Sequence, residues 1–416
     1  MLFRYRRKVL LGTERVLEVE SKKMTETVKN EKGLALRLQV APILFLTAIF
    51  LLNFISRIEL SPLVPSIEED LGLSHGEVGS FFLYITLGYF ISLIGSGFVS
   101  SRISHRMTII LSSIAVGLTL IGVCLTETAW GLGFGMFVLG LVTGLYLPSA
   151  IVTITELVHP PQWGKALAIH EIAPNLAFVM APLVAEALMV WFSWRCVMGT
   201  LGFTSLVIGI SYACLGRGGE IKGETPNFSS VRSIIAQPSF VVMVFLFGLA
   251  MSSTLGIYSM LPLYLISDHA IARTEANTIV ALSRVSTIFI VFLGGWAADR
   301  FGSSRTICVA FLITGTLTIL LGIVPTSLIK LTVLLQPVFA VCFFPAGFAM
   351  LSSTVPPHSR SLAVSLVIPF ATMIGAGIVP TFIGLMGDAG LFAMAFPIVG
   401  ACILSGTIPL RFIKLS

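Results

Sequence analysis

The chain alternates between long apolar runs and short polar interruptions. Reading each run between its punctuating charges predicts helices over 39–62, 77–100, 107–126, 129–155, 164–190 and 194–215 in a first half, and over 238–265, 274–298, 305–324, 329–353, 361–385 and 390–411 in a second. Every run reaches the ~20 residues that a helix needs to cross ~30 Å of hydrocarbon at about 1.5 Å per residue. The expected fold is therefore an all-α membrane protein with twelve transmembrane helices in two six-helix bundles. Residues 1–38 carry ten Lys or Arg and five Glu with little periodicity, and read as a cytoplasmic tail. A bundle over 39–215, a linker over 216–237, a second bundle over 238–412 and a short C-terminus over 413–416 complete the expected organisation. The linker region, RGGEIKGETPNFSSVRSIIAQPS, is polar and rich in Gly, Ser and Pro.

Composition agrees with this reading. Of 416 residues, 56% are hydrophobic and 11% charged, whereas soluble domains carry about 25% charged residues. The net charge of +6 does not point to nucleic acid, because the excess sits at helix ends and in the tail. Of 26 Lys and Arg, 21 fall in the tail and the loops on its side, including Arg102, Lys165, Arg217, Arg300, Arg305 and Arg360. The opposite side holds Arg195, Arg273 and Lys330, and its first loop, SIEEDLGLSHGE, is acidic. Short loops rich in Lys and Arg stay in the cytoplasm. Both termini are expected there, with the protein in the cell membrane, or the inner membrane of a bacterium. Six scattered cysteines with no CxxC pair or Cys/His cluster indicate neither a metal site nor a disulfide framework. No cofactor is implied. With no nucleotide loop and no soluble catalytic domain, an enzyme is the weakest reading. The basic start has too short an apolar stretch for a signal peptide, and Met24 is an alternative start.

The halves repeat each other. Gly295, Asp299 and Arg300 lie 198 residues after Gly97, Ser101 and Arg102. Pro356, Ala363 and Pro369 lie 195 after Pro161, Ala168 and Pro174. Parallel repeats of this kind, with a substrate site between halves near the midplane, are a transporter architecture. The segment GGWAADRFGSSR (294–305) matches G-x-x-x-D-R-x-G-x-x-[RK], and the chain over 39–412 resembles the major facilitator superfamily. The first-half copy has Ser101 in place of the acid. The resemblance implies gating at this loop. Asp299 would accept from Arg360 at the head of the eleventh helix, with Arg300 and Arg305 beside it. In the first half, Glu156 would pair with Arg102 or Lys165 instead. The alternative is that these arginines only enforce topology. NFISRIELSPLVP also resembles the first helix of the anion:cation symporter branch, with Arg57 in the place of the substrate arginine and Ser56 replacing the usual acid. Two signatures of proton-driven drug exporters are missing: Met136 stands where their fourth-helix arginine would be, and MAPLVAEA (180–187) lacks the fifth-helix glycines.

Ionisable residues inside spans are costly and are functional candidates by default. Arg57 lies ~30 Å along the helix from Arg37, and Arg284 ~22 Å above Asp299. A guanidinium offers a planar fork that suits carboxylate or phosphate. The alternatives are a pair with Glu59 or snorkelling for Arg57, and a salt bridge within the second half for Arg284. Asn53, Tyr84 and Tyr258 are expected to line the path with them. His170 and Glu171, ~9 Å deep in the fifth span, and Glu59 are candidates for proton coupling, or for structural pairing. Glu186, beside Trp191 and Trp194, reads as a solvated rim residue. The four glycines Gly131, Gly135, Gly140 and Gly144 read as close helix packing. The leading reading is a monomeric secondary transporter that couples a small organic anion to protons. An exporter of drugs or metabolites, and a non-transporting receptor on a transporter scaffold, are the alternatives.

Overall fold

The computed structural model describes residues 36–223, 228–354 and 360–411. Among them are eleven helices long and apolar enough to cross a membrane. These are α1 (Leu36–Leu71), α2 (His75–Arg102), α3 (His105–Cys124), α4 (Ala129–Leu157), α5 (Pro160–Met189), α6 (Trp194–Leu215), α7 (Pro238–Ser267), α8 (Arg273–Phe301), α9 (Ser303–Leu321), α10 (Thr326–Thr354) and α11 (Leu362–Asp388). A shorter apolar helix, α12 (Phe392–Ser405), completes the twelve-helix fold. It packs on α9 and is followed by a 3₁₀ turn, Pro409–Arg411.

The first helix runs well past the expected end at residue 62. It breaks at Glu59 and resumes over Leu60–Leu71, with Leu60, Leu63, Val64 and Ile67 buried on one face. The acids Glu69 and Asp70 are exposed at its end, so charge here marks the wet last turn of a helix and not a loop. Gly72 at φ 62° terminates it in the left-handed region that glycine occupies without strain. Ser74 and Glu77 then cap α2 reciprocally, each accepting the other's backbone N–H.

The sequence repeat has a packing counterpart. A Cβ on Gly117 of α3 would lie 2.7 Å from the carbonyl oxygen of Gly202 on α6, and one on Gly315 of α9 would lie 2.9 Å from that of Gly400 on α12. Both partners recur 198 residues on, so each half crosses its third and sixth helices at one glycine pair. Gly140 and Gly144 play the same part between α4 and α2, where a Cβ would meet Ile85 O at 2.0 Å and Tyr89 O at 2.9 Å.

The first part of the linker, residues 217–223, is docked against the first half. Arg106 N donates to Gly219 O (2.7 Å), His105 N to Ile221 O (3.1 Å) and Gly223 N to Ser100 O (2.9 Å), and Arg106 pairs with Glu220 at 2.5 Å. A short helix, Phe228–Ile235, lies within the same segment. This docking changes the expected role of Glu156. Instead of pairing with Arg102 or Lys165, its Oε2 accepts the Gly219 N–H at 2.9 Å. Consecutive positive φ angles at Gly218 (81°) and Gly219 (75°) shape the turn that presents that N–H to the end of α4.

Candidate functional site

Between the two halves lies a cavity of about 30 Å³, lined from α1 by Phe54 and Arg57, from α2 by Thr86 and Tyr89, from α7 by Ser259 and from α11 by Thr372, among others. Arg57 is its one cation. The guanidinium sits over the rings of Tyr89 (4.3 Å) and Phe54 (4.8 Å), and its Nε has no hydrogen-bond partner among the described residues. No acid lies within ion-pair distance of it among those residues, so the pairing with Glu59 is not formed. Ring faces stabilise a desolvated guanidinium by about 2 kcal/mol. They leave its Nε–H open to an anion.

Arg284, 5% exposed on α8, is held differently. The middle of α7 is a π turn, Ser252–Gly256, closed by Ile257 N to Ser252 O. Two carbonyls of this turn accept from long side chains of neighbouring helices: Thr254 O from Arg284 Nη2 and Ser253 O from Gln336 Nε2, both at 2.8 Å. Among the described residues Arg284 forms no salt bridge, and its fork is not free either. Part of it supports a π turn, a feature frequent at functional sites, and its Nε has no hydrogen-bond partner among the described residues. Its guanidinium also lies 4.7 Å from Phe178 and 5.0 Å from Tyr258. Phe54 and Phe178 meet edge to face at 5.4 Å. The two arginines, one from each half, are thus connected through an aromatic pair that sequence spacing does not reveal.

Tyr258 is buried, donates weakly to Phe178 O (3.5 Å) and receives Ser61 Oγ on its own carbonyl at 2.8 Å. Asn53 donates to Thr143 O at 3.2 Å, which ties α1 to α4. Tyr84 is 37% exposed, packs toward Phe81 and Gly133, and does not line the cavity. Five residues on, about 140° around the helix at 100° per residue, Tyr89 takes the place expected for it.

The coupling candidates form two groups. His170 is fully buried, stacked on Phe50 at 4.4 Å, with Nε2 at 3.1 Å from the Tyr146 hydroxyl, which donates to Leu46 O at 2.6 Å. Its Nδ1 faces Glu171 Oε1 at 3.7 Å, and the Glu171 side chain is 57% exposed. Glu59, at the break in α1, is fully buried with both carboxylate oxygens unpartnered among the described residues.

The two ends of the bundle differ. Among the described residues, the hydrogen bonds that join the halves run from mid-depth to the end carrying Ser74 and Asp388. Glu186 takes part in them and is 8% exposed, so the expected rim residue is a buried one. It is covered because the start of α8 packs over the end of α5. At the opposite end Arg102, Asp299, Arg300 and Arg305 are exposed and carry no ion pair among the described residues. Arg360 opens a helix over Arg360–Thr372, but its side chain lies outside the described residues, as do residues 1–35.

Comparison with known proteins agrees with this architecture. The family model of the Major Facilitator Superfamily matches residues 45–270 and 240–415. The chain is 24% identical to the D-galactonate transporter of Escherichia coli O6:H1, over 88% of this chain and 92% of that one. It is 20% identical to the probable L-galactonate transporter of Escherichia coli K12, over 91% and 89%. Among solved structures it resembles a bacterial homologue of the human lysosomal transporter Spinster, inward-facing and unoccupied, with TM-score 0.74 and 19% identity over 90% of this chain and 95% of that one. It also resembles a D-xylose–proton symporter, with TM-score 0.75 and 15% identity over 90% and 97%. With its twelve helices in two repeated halves, the chain belongs to the major facilitator superfamily and is a multi-pass membrane transporter of small solutes, not an enzyme.

Proposed function

We propose that the protein is a proton-coupled secondary transporter of small hydroxylated monocarboxylates, the aldonate class. The observation that carries this reading is Arg57, a cation in the cavity between the halves with ring faces around it and, among the described residues, no acid within ion-pair distance. A charge in a low-dielectric site needs a counter-charge, and an anionic substrate supplies one that can leave. Hydroxyl groups of Thr86, Tyr89, Ser259 and Thr372 around the same cavity suit a polyol chain. The galactonate-transporting relatives support the same class. A cavity of about 30 Å³ has room for little more than water, so binding requires its walls to part. We read the Lys- and Arg-rich end as cytoplasmic. The Ser74 and Asp388 end is then the outer one, and parting begins at the inner end, where the halves share fewest hydrogen bonds among the described residues. Arg284 is the second anion contact in this reading, and Glu171 with His170 exchanges the coupled proton.

Counterflow tests the function. Proteoliposomes preloaded with an unlabelled aldonate should take up the labelled acid faster than empty ones. Other hydroxy monocarboxylates should compete, and the neutral polyol of the same length should not. Competition by the polyol alone would reject the anion reading.

A further inference from the structure

Among the described residues Glu186 accepts the most hydrogen bonds of any side chain across the two halves, and no part of the anion reading uses it. It sits near the end of α5. Its Oε1 accepts from Asn277 Nδ2 (2.7 Å) and Arg273 Nε (3.2 Å), and its Oε2 from Thr274 Oγ1 (2.8 Å). All three donors lie in the opening turns of α8, on the other half. Arg273 and Asn277 also reach back to α1, at Ser66 Oγ (3.4 Å) and Pro62 O (3.3 Å). The carboxylate is buried, yet a groove of about 470 Å³ shares Arg273 as a wall and lies directly outside it. The Arg273 side chain is 36% exposed, so the pair borders the groove through its guanidinium.

The repeat shows that this contact is one of two. α2 and α8 begin at His75 and Arg273, 198 residues apart, the offset of the loop signature. With the 195-residue offset of the fifth and eleventh helices, the counterpart of Glu186 is Thr381, and that of Asn277 is Gly79. Those counterparts also touch: Thr381 Oγ1 donates to Gly79 O at 3.1 Å. Seven residues further along α11, Asp388 Oδ2 accepts from Ser74 Oγ (2.9 Å) and Gly76 N (3.0 Å) at the head of α2. Both crossings thus place an acid at the end of one half's helix on the start of the other half's helix, where the helix dipole favours negative charge. They differ in strength. Asp388 is exposed and its donors are neutral, whereas Glu186 is buried and faces a guanidinium.

We infer that Glu186, with Arg273, Thr274 and Asn277, is the latch that holds this end of the transporter shut, and that its rupture sets how often this end opens. Opening here must separate α5 from α8, so every bond in the quartet breaks together. The carboxylate and guanidinium are then rehydrated through the adjoining groove, which keeps the rupture reversible.

The test reads conformation and needs no substrate, so it stands apart from the anion reading. Spin labels at Glu69→Cys on α1 and Ser267→Cys on α7, on opposite walls of the groove, are introduced into full-length protein whose six native cysteines have been replaced by serine. The distance distribution in lipid nanodiscs is measured by double electron–electron resonance. Glu186→Gln and Arg273→Gln should each raise the ratio of long to short distances about tenfold, the size of a typical conformational coupling. Combining them should add little, because both remove the same contact. If Glu186→Gln does not yield folded protein, Thr274→Val removes one donor and should shift the ratio in the same direction by less. Distributions that overlay the parent for whichever of these variants fold would overturn the assignment.

Discussion

Arg57→Lys lowers affinity for a hydroxy monocarboxylate by about tenfold or more, and Arg57→Ala by about a hundredfold. The magnitudes follow from what each change removes. A hydrogen bond to a charged group contributes about 1.5–3 kcal/mol, and each 1.4 kcal/mol is about a factor of ten. Lysine keeps the charge but is a point donor. It cannot present two parallel N–H groups to a carboxylate, nor offer a planar cation to the Phe54 and Tyr89 rings beside the guanidinium. Arg284→Lys should cost less binding, because one face of Arg284 already serves Thr254 O and only the remainder can meet a ligand. Equilibrium titration of the purified variants with an aldonate checks the order. If Arg57→Lys binds as wild type does, the anion contact lies elsewhere.

Glu171→Gln should abolish accumulation driven by a pH gradient while leaving counterflow within a few-fold. Counterflow needs substrate exchange but no net proton movement, so the two assays separate coupling from binding. The expectation rests on position. Glu171 is more than half exposed, at the break between Trp163–His170 and Ile172–Met189, and its carboxylate faces the free Nδ1 of a buried histidine. In the proposed role Glu171 would take up the coupled proton beside His170, whose other nitrogen lies 3.1 Å from the Tyr146 hydroxyl. Unchanged pH-driven uptake in this variant would move the role to Glu59, the buried acid with no partner among the described residues.

The spans were legible because apolar runs in a membrane protein have one physical cause, and the constant offsets exposed the repeat. Arg57 and Arg284 were legible as interior cations by the same economy, since few charges lie far from a loop. What escaped depended on partners distant in sequence. Glu186 read as a rim residue because its neighbours are Trp191 and Trp194, while its three donors lie 87 to 91 residues on. Glu156 could not be assigned its Gly219 partner, because a backbone N–H carries no sequence signature. The sequence suggests too early an end for α1 because its last turns carry Glu68, Glu69 and Asp70, and charge looks the same in a wet helix end as in a loop. Tyr84 and Tyr89 were indistinguishable by type, and only the helical phase relative to α4 decides which one faces the cavity.

The central claim, that the cavity between the halves takes an anion on Arg57, is tested most directly by titrating the wild-type protein with an aldonate and with its amide, matched in size and hydroxyl pattern, by isothermal calorimetry. The acid should bind at least about tenfold more tightly than the amide, the difference of one charge-assisted contact. Equal affinities, or a preference for the amide, would contradict it.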